Sequence, residues 1–296
     1  MTDASESFGE CSMLCDIFKQ KKFIITAELF PPKGTDITDL MRRADLIGQL
    51  VDGINVTDNQ RASMRLGSIA VCRLLKERGY RPIMQMTCRD RNRLALQSDL
   101  LSAFVLGIDD ILMLSGDHPR AGEYTELSGV YDLDPVQLIA AARGLESGVD
   151  LAGKKLKGAP KFCIGAVVNP TSTPQELQIL MLQKKIAAGA QFFQTQTIFD
   201  VEQYKRFHEK INHFPAKVLP GVTLLKSPAF VAFMQALPGV TIPPAFVDRI
   251  KNAGDPLAEG IEICAETIRE LKTFTAGVHI MAIGMEQYIP EILAKV

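Results

Sequence analysis

Two acidic residues stand where apolar runs end. Glu28 closes Phe23-Ile24-Ile25-Thr26-Ala27-Glu28, and Asp117 follows the run from Asp110 in Leu114-Ser115-Gly116-Asp117-His118-Pro119. Carboxylates from two separate segments suit general acid–base chemistry, one protonated and one ionised by its surroundings. Ala27, Leu29 and Phe30 flank Glu28, so burial favours its neutral, proton-donating form. Gly116 opens the backbone to a ligand and Pro119 stops the strand; for this stretch alone, a plain turn with a solvated acid is the competing reading. Gln85 and Gln196 also interrupt apolar runs, where a polar side chain needs a partner. Lys184 and Lys185, mid-helix, read as a solvated face or as a phosphate-binding pair. Glu28, Asp117 and His118 are too dispersed for metal spacing, and no metal is expected. His208 and His213 read as surface residues, and His279 as a strand residue with a local hydrogen bond.

The elements that must position these groups alternate strictly. Short β-rich runs cover 23–28, 53–57, 82–87, 110–114, 162–168, 192–196, 217–222 and 278–283. Stretches with helical apolar spacing lie between them at 36–50, 62–78, 92–106, 134–146, 174–188, 201–211, 228–236, 245–251 and 257–273. Strands alternating with helices imply parallel pairing through crossovers, and eight such units predict an α/β fold, a closed (β/α)8 TIM barrel. No G-x-G-x-x-G follows the first strand, which argues against a dinucleotide-binding open sheet. The expectation is one barrel domain over 21–296 with extra short helices, preceded by an N-terminal extension or helix over 1–20. In such a barrel the site forms at the C-terminal strand ends, so Glu28, Thr57, Asp58, Asn59, Gln85, Thr87, Asp117, His118, Asn169 and Gln196 should line one mouth.

Composition sets the outer limits. The chain has 296 residues, 47% of them hydrophobic, and a net charge of −1, which gives no electrostatic footprint for nucleic acid. No apolar stretch is long enough to span a bilayer, and the polar N-terminus is unlike a signal peptide, so a cytoplasmic protein is expected. Six cysteines are scattered, three within apolar patterns, as reduced buried thiols would be. Cys11 and Cys15 could share a helical face, but lack the further ligands of a zinc site.

Six motifs, in order and at the ends of expected strands, resemble the methylenetetrahydrofolate reductase family. They are Ala27-Glu28-Leu29-Phe30-Pro31-Pro32-Lys33-Gly34, Asn55-Val56-Thr57-Asp58, Met86-Thr87-Cys88, Leu114 to Pro119, Asn169-Pro170 and Gln194-Thr195-Gln196-Thr197-Ile198-Phe199-Asp200. The resemblance runs from about residue 8 to 290. It implies a flavin-containing barrel that reduces 5,10-methylenetetrahydrofolate to 5-methyltetrahydrofolate. Glu28 then matches the general acid that protonates the folate at N10, and Asp117 the carboxylate beside flavin and folate. Gln196 matches the glutamine that contacts the pterin. Thr57, Asp58, Gln85, Ser115, Gly116, Asp117, Tyr131, Asp132, Asn169, Lys184 and Lys185 match flavin-holding positions.

Several positions depart from the better-known bacterial enzymes. Gln85 and Asn169 replace histidines, Ser115 an arginine, Gly165 a tyrosine and Met181 an asparagine, while Gly284-Met285 replaces a substrate-binding Asn-Arg pair. FAD is the expected flavin, with FMN or no tightly held flavin as alternatives. The electron donor is NADH or another donor, including an electron-transfer partner subunit, and a homo-oligomer is expected.

Overall fold

The computed structural model describes residues 12–124, 126–237 and 239–296. A first helix, α1 (Leu14–Gln20), precedes strand β1 (Ile24–Leu29). Then follow α2 (Thr38–Ile47), β2 (Gly53–Val56), α3 (Ser68–Glu77), β3 (Pro82–Thr87), α4 (Arg93–Val105) and β4 (Asp110–Leu114). The second half comprises α5 (Pro135–Glu146), β5 (Cys163–Val168), α6 (Gln175–Ala188), β6 (Phe192–Thr197), α7 (Val201–Ile211) and β7 (Lys217–Thr223). An excursion of α8 (Pro228–Gln235), α9 (Pro244–Asn252) and α10 (Pro256–Leu271) leads to β8 (Gly277–Met281) and α11 (Ile289–Ala294). The strands close in sequence order, β8 pairing with β1, and every pairing is parallel. The expected TIM barrel is what forms. No helix among the described residues is long and apolar enough to cross a membrane.

Alternation along each strand divides the residues between two surroundings. Ala27, Leu29, Ile54, Val56, Met84 and Met86 face outward and pack with helix residues such as Leu40, Ala44 and Leu75. The inward residues form two zones. At the floor, Ile24, Ile83, Leu112, Cys163 and Phe192 pack against Leu14 of α1. The Phe192 ring fills the space beside Gly165, where an added Cβ would sit 2.2 Å from it, so no larger side chain fits at that position. Above the floor, the inward positions turn polar.

Helix starts follow local chemistry. Asp134 caps α5 in a reciprocal capping box with Gln137, and Asp200 and Asp255 cap α7 and α10. The helix expected from residue 62 begins only at Ser68. The chain before it instead makes a tight turn, with Asn59, Arg61 and Ala62 at φ of 46°, 56° and 51°. Its apolar residues serve loop contacts: Ala62 is buried, and the Leu66 N–H bonds to the Pro32 carbonyl. The last strand stops at Met281, short of the expected 283, because Ile283 and Gly284 turn left-handed at φ of 51° and 77°.

The thiol reading holds for Cys72, Cys88 and Cys264, which are free and buried. It fails for Cys15 and Cys163, which form a disulfide tying α1 to the floor of β5. The two lie 148 residues apart and meet only because α1 folds beneath the barrel, so no spacing rule reveals them. Cys11, the other residue of the considered metal pair, lies outside the described residues. His208 is also not a plain surface residue: it sits half-buried between the rings of Tyr204 and Phe274.

Candidate active site

Glu28 ends the inward row of β1 and is 7% exposed. Its Oε2 accepts a 3.1 Å hydrogen bond from the Gln85 amide on β3 and lies 3.8 Å from His279 Nε2 on β8. Glu28 and Gln85 therefore satisfy each other. Beneath them a polar layer crosses the barrel. Gln194 and Asn55 exchange a pair of amide bonds of 2.7 and 3.0 Å, and Gln194 also donates to Thr26 Oγ1 at 3.2 Å. Thr26 Oγ1 lies 3.0 Å from His279 Nδ1. The other ring nitrogen, Nε2, faces Glu28. A layer this fully paired is rigid, and it fixes where the Glu28 carboxyl points.

The carboxyl faces a cavity of about 530 Å³ that also takes in Asp117, Gln196 and Asn169. Asp117 is exposed to it, and its Oδ2 accepts the Arg61 N–H at 2.7 Å. Gly116 before it holds φ +81°; a Cβ there would meet Thr87 at 3.1 Å and Arg89 at 3.2 Å. The backbone of the β4 loop is thus pressed against β3 where only glycine fits. Gln196 follows Gln194 by two on the inward face of β6 and so reaches the cavity; β6 bulges there, three residues after Gln194 matching two on β7, and the Thr195 hydroxyl takes the Gly221 N–H. Phe30, Phe233, Leu237, Val240, Met281 and Ile283 supply apolar walls, three of them from α8 and the segment after it.

The remaining expected residues divide by whether the protein already occupies them. Thr57 is buried and its Oγ1 has no partner among the described residues, while Ser115 and Tyr131 are exposed. Asn169 uses its carbonyl on the Thr171 N–H and hydroxyl, at 3.1 and 2.8 Å, leaving its amide available. Asp58 is committed: it accepts from the Thr87 N–H and hydroxyl and takes a two-pronged contact from Arg91 at 2.7 and 3.0 Å. Asp132 is bound by the Arg93 side chain and N–H, which hold its carboxyl down at about 2. Lys185 is buried, donating at 2.7 Å to the Val167 carbonyl, and its burial pulls its ammonium below the usual lysine range. Lys184 is exposed. Adjacent helical residues point about 100° apart, so the two lysines do not act as a pair.

A sequence model described as methylenetetrahydrofolate reductase matches residues 13–296. The chain belongs to the methylenetetrahydrofolate reductase family. It is 26% identical over 208 residues to 5,10-methylenetetrahydrofolate reductase of Pectobacterium carotovorum, covering 69% of this chain and 64% of that one. A probable NADPH-dependent methylenetetrahydrofolate reductase of Caenorhabditis elegans is 22% identical, over 94% of this chain and 42% of its own length. The chain therefore spans less than two thirds of these relatives. Among solved structures, a Clostridium thermocellum protein that binds two copies of 5-methyl-5,6,7,8-tetrahydrofolic acid superposes with a TM-score of 0.65 at 18% identity, over 96% of this chain and 97% of that one. A 2,3-dimethylmalate lyase superposes too, at 0.53 and 13% identity over 95% of this chain and 80% of its own, so the fold by itself carries no chemistry.

Sequence reasoning toward this reductase family overlooked the polar layer and the loop cations. Asn55, Gln194 and His279 carried the signal that singled out Glu28, a polar residue within an apolar strand. Arg89 and Arg91 follow β3 directly in Cys88-Arg89-Asp90-Arg91, a charged run at a strand end. Arg89 is 1% exposed and donates to Asp90, to the Asn59 carbonyl and to the Asp117 carbonyl, joining three loops of the mouth.

Proposed function

We propose that this protein reduces 5,10-methylenetetrahydrofolate to 5-methyltetrahydrofolate. One observation carries the reading: a buried carboxyl, paired among the described residues with an amide and an imidazole, opens onto a cavity whose other acid is exposed. Glu28, held at the cavity by the Gln85 amide, is placed to give a proton to N10 of the folate; opening the five-membered ring there leaves a cationic N5 iminium. The exposed Asp117 carboxylate, oriented by the Arg61 N–H, supplies the negative charge that stabilises such a cation. Gln196 offers an amide to the donor and acceptor edge of a pterin, and Phe30 and Phe233 offer apolar faces to its rings.

The residues at the mouth also fit a flavin. Among the described residues, the Thr57 hydroxyl and the Asn169 amide have no partner. A flavin bound there would supply the hydride that the reduction requires. In this reading it is FAD, with NADH or a partner subunit as the source of electrons. That binding would rest on Thr57, Ser115, Gly116 and Asn169; Asp58, Asp132 and Lys185 would act through the loops they hold.

The test is anaerobic turnover of 5,10-methylenetetrahydrofolate by the purified, flavin-supplemented protein, with NADH or reduced viologen as donor and the product separated by chromatography. Formation of 5-methyltetrahydrofolate is expected. No product with either donor would overturn the reading, and turnover with NADH by a colourless preparation would remove the flavin from it.

A further inference from the structure

We infer that Arg61 is the binding residue for the glutamyl carboxylates of the folate, which makes it the determinant of preference for the anionic tail. This rests on the folate reading above. The tail of a folate is a chain of carboxylates, yet the cavity already contains Glu28 and Asp117. Without a cation such a tail would be repelled. Among the described residues that line the cavity, Arg61 is the one cation.

Its side chain is exposed, and among the described residues no hydrogen bond or ion pair engages its guanidinium. Other cations on the strand-end loops are engaged or, like the exposed Arg120, lie outside the cavity lining. Lys33 pairs with Glu123, Arg65 donates to the Pro31 carbonyl, Arg91 binds Asp58 and Asp99, and Lys226 lies over the Phe230 ring. The end of β8 and the loop after it bring Met281 and Ile283 to the cavity, and Met285 packs against the core.

The backbone holds Arg61 in place. It sits at φ 56°, ψ 31°, a conformation an arginine rarely adopts. The turn is clamped from two sides: the Arg61 N–H bonds to Asp117, and Gly122 packs so close to the Ala62 carbonyl that a Cβ would sit 2.2 Å away. Strain kept at a site mouth, on a residue whose guanidinium has no polar partner among the described residues, is what a ligand-binding role accounts for. A guanidinium also matches a carboxylate with two parallel hydrogen bonds.

The experiment measures binding by calorimetry of two ligands. One is 5-methyltetrahydrofolate; the other is the same pteroyl group ending in an uncharged amide in place of glutamate. The unmodified protein should prefer the glutamyl ligand ten-fold or more. Arg61→Gln should reduce that preference to two-fold or less while binding the amide ligand within two-fold of wild type, and Arg61→Lys should restore part of it. Flavin content and thermal midpoint should not change in either variant. The inference is overturned if Arg61→Gln keeps the preference, if both ligands weaken equally, or if flavin is lost while the preference stays. Failure of the unmodified protein to bind either ligand would overturn the folate reading itself, a separate outcome.

Discussion

Replacing Arg89 with methionine tests how the mouth is held together. The guanidinium makes a two-pronged contact with Asp90, both bonds 2.7 Å, and donates to the carbonyls of Asn59 at 2.9 Å and Asp117 at 3.1 Å. Methionine keeps much of the volume and removes every donor. Hydrogen bonds to a charged group contribute about 1.5–3 kcal/mol each, and breaking a buried pair costs about 3–5 kcal/mol. The Asp90 side chain is 22% exposed, so water can take over part of its bonding. A net loss of about 2–4 kcal/mol follows. With an unfolding entropy of ~2.1 cal/mol/K per residue, a 296-residue chain should lose roughly 3–7 °C of Tm. Differential scanning calorimetry reads this directly, with the exposed Arg42→Met as control. Asp117 should lose its fixed orientation as well, so folate binding should weaken beyond the thermal effect, measured well below Tm. A Tm within 1 °C of wild type together with unchanged folate binding would refute the clamp.

Two predictions concern the barrel floor. Asp110 accepts the Leu14 N–H at 2.9 Å, and burial, reinforced by Asp109, pushes its carboxyl up to about 8, above the ~4 of an unfolded chain. Its proton is held more tightly in the folded state, so its contribution to stability is present below about pH 4 and is lost as pH rises through 8. Asp110→Asn keeps an acceptor for Leu14 and should flatten stability between pH 5 and 9 in urea unfolding; an equally steep fall in the variant would contradict this. The Cys15–Cys163 bridge closes a 148-residue separation, which constrains the unfolded chain by at most about 5 kcal/mol. Cys15→Ser should therefore lower Tm, and a non-reducing peptide map should recover the linked pair; finding both thiols free would contradict it.

The barrel was legible because strand and helix periodicities are local, and the ends of β3, β4, α5 and α7 fall where composition places them. Glu28, Asp117 and Gln196 were legible for a related reason: each interrupts or closes an apolar run, and closure of the barrel brings such positions to one cavity. What escaped depends on contacts between distant segments. The Asp58 carboxylate looks available in sequence and is taken by Arg91, 33 residues on. The apolar spacing from Ala62 suggests helix, but the Arg61 N–H is drawn to Asp117 and the turn stays open until Ser68. His279 reads as an ordinary strand residue until closure of β8 on β1 sets it beside Thr26 and Glu28.

The central claim is that Glu28 gives a proton to the folate. Glu28→Gln keeps the shape and an acceptor for the Gln85 amide, so fold and ligand binding should survive. The decisive measurement is rapid-mixing kinetics of the two half-reactions, reduction of the enzyme by its donor and reduction of 5,10-methylenetetrahydrofolate by the pre-reduced enzyme. Loss of a general acid is worth about 10²–10⁴-fold. The account predicts a loss of that size in the folate half-reaction with the donor half-reaction within about two-fold of wild type. A folate half-reaction that runs at near the wild-type rate in the variant would contradict it.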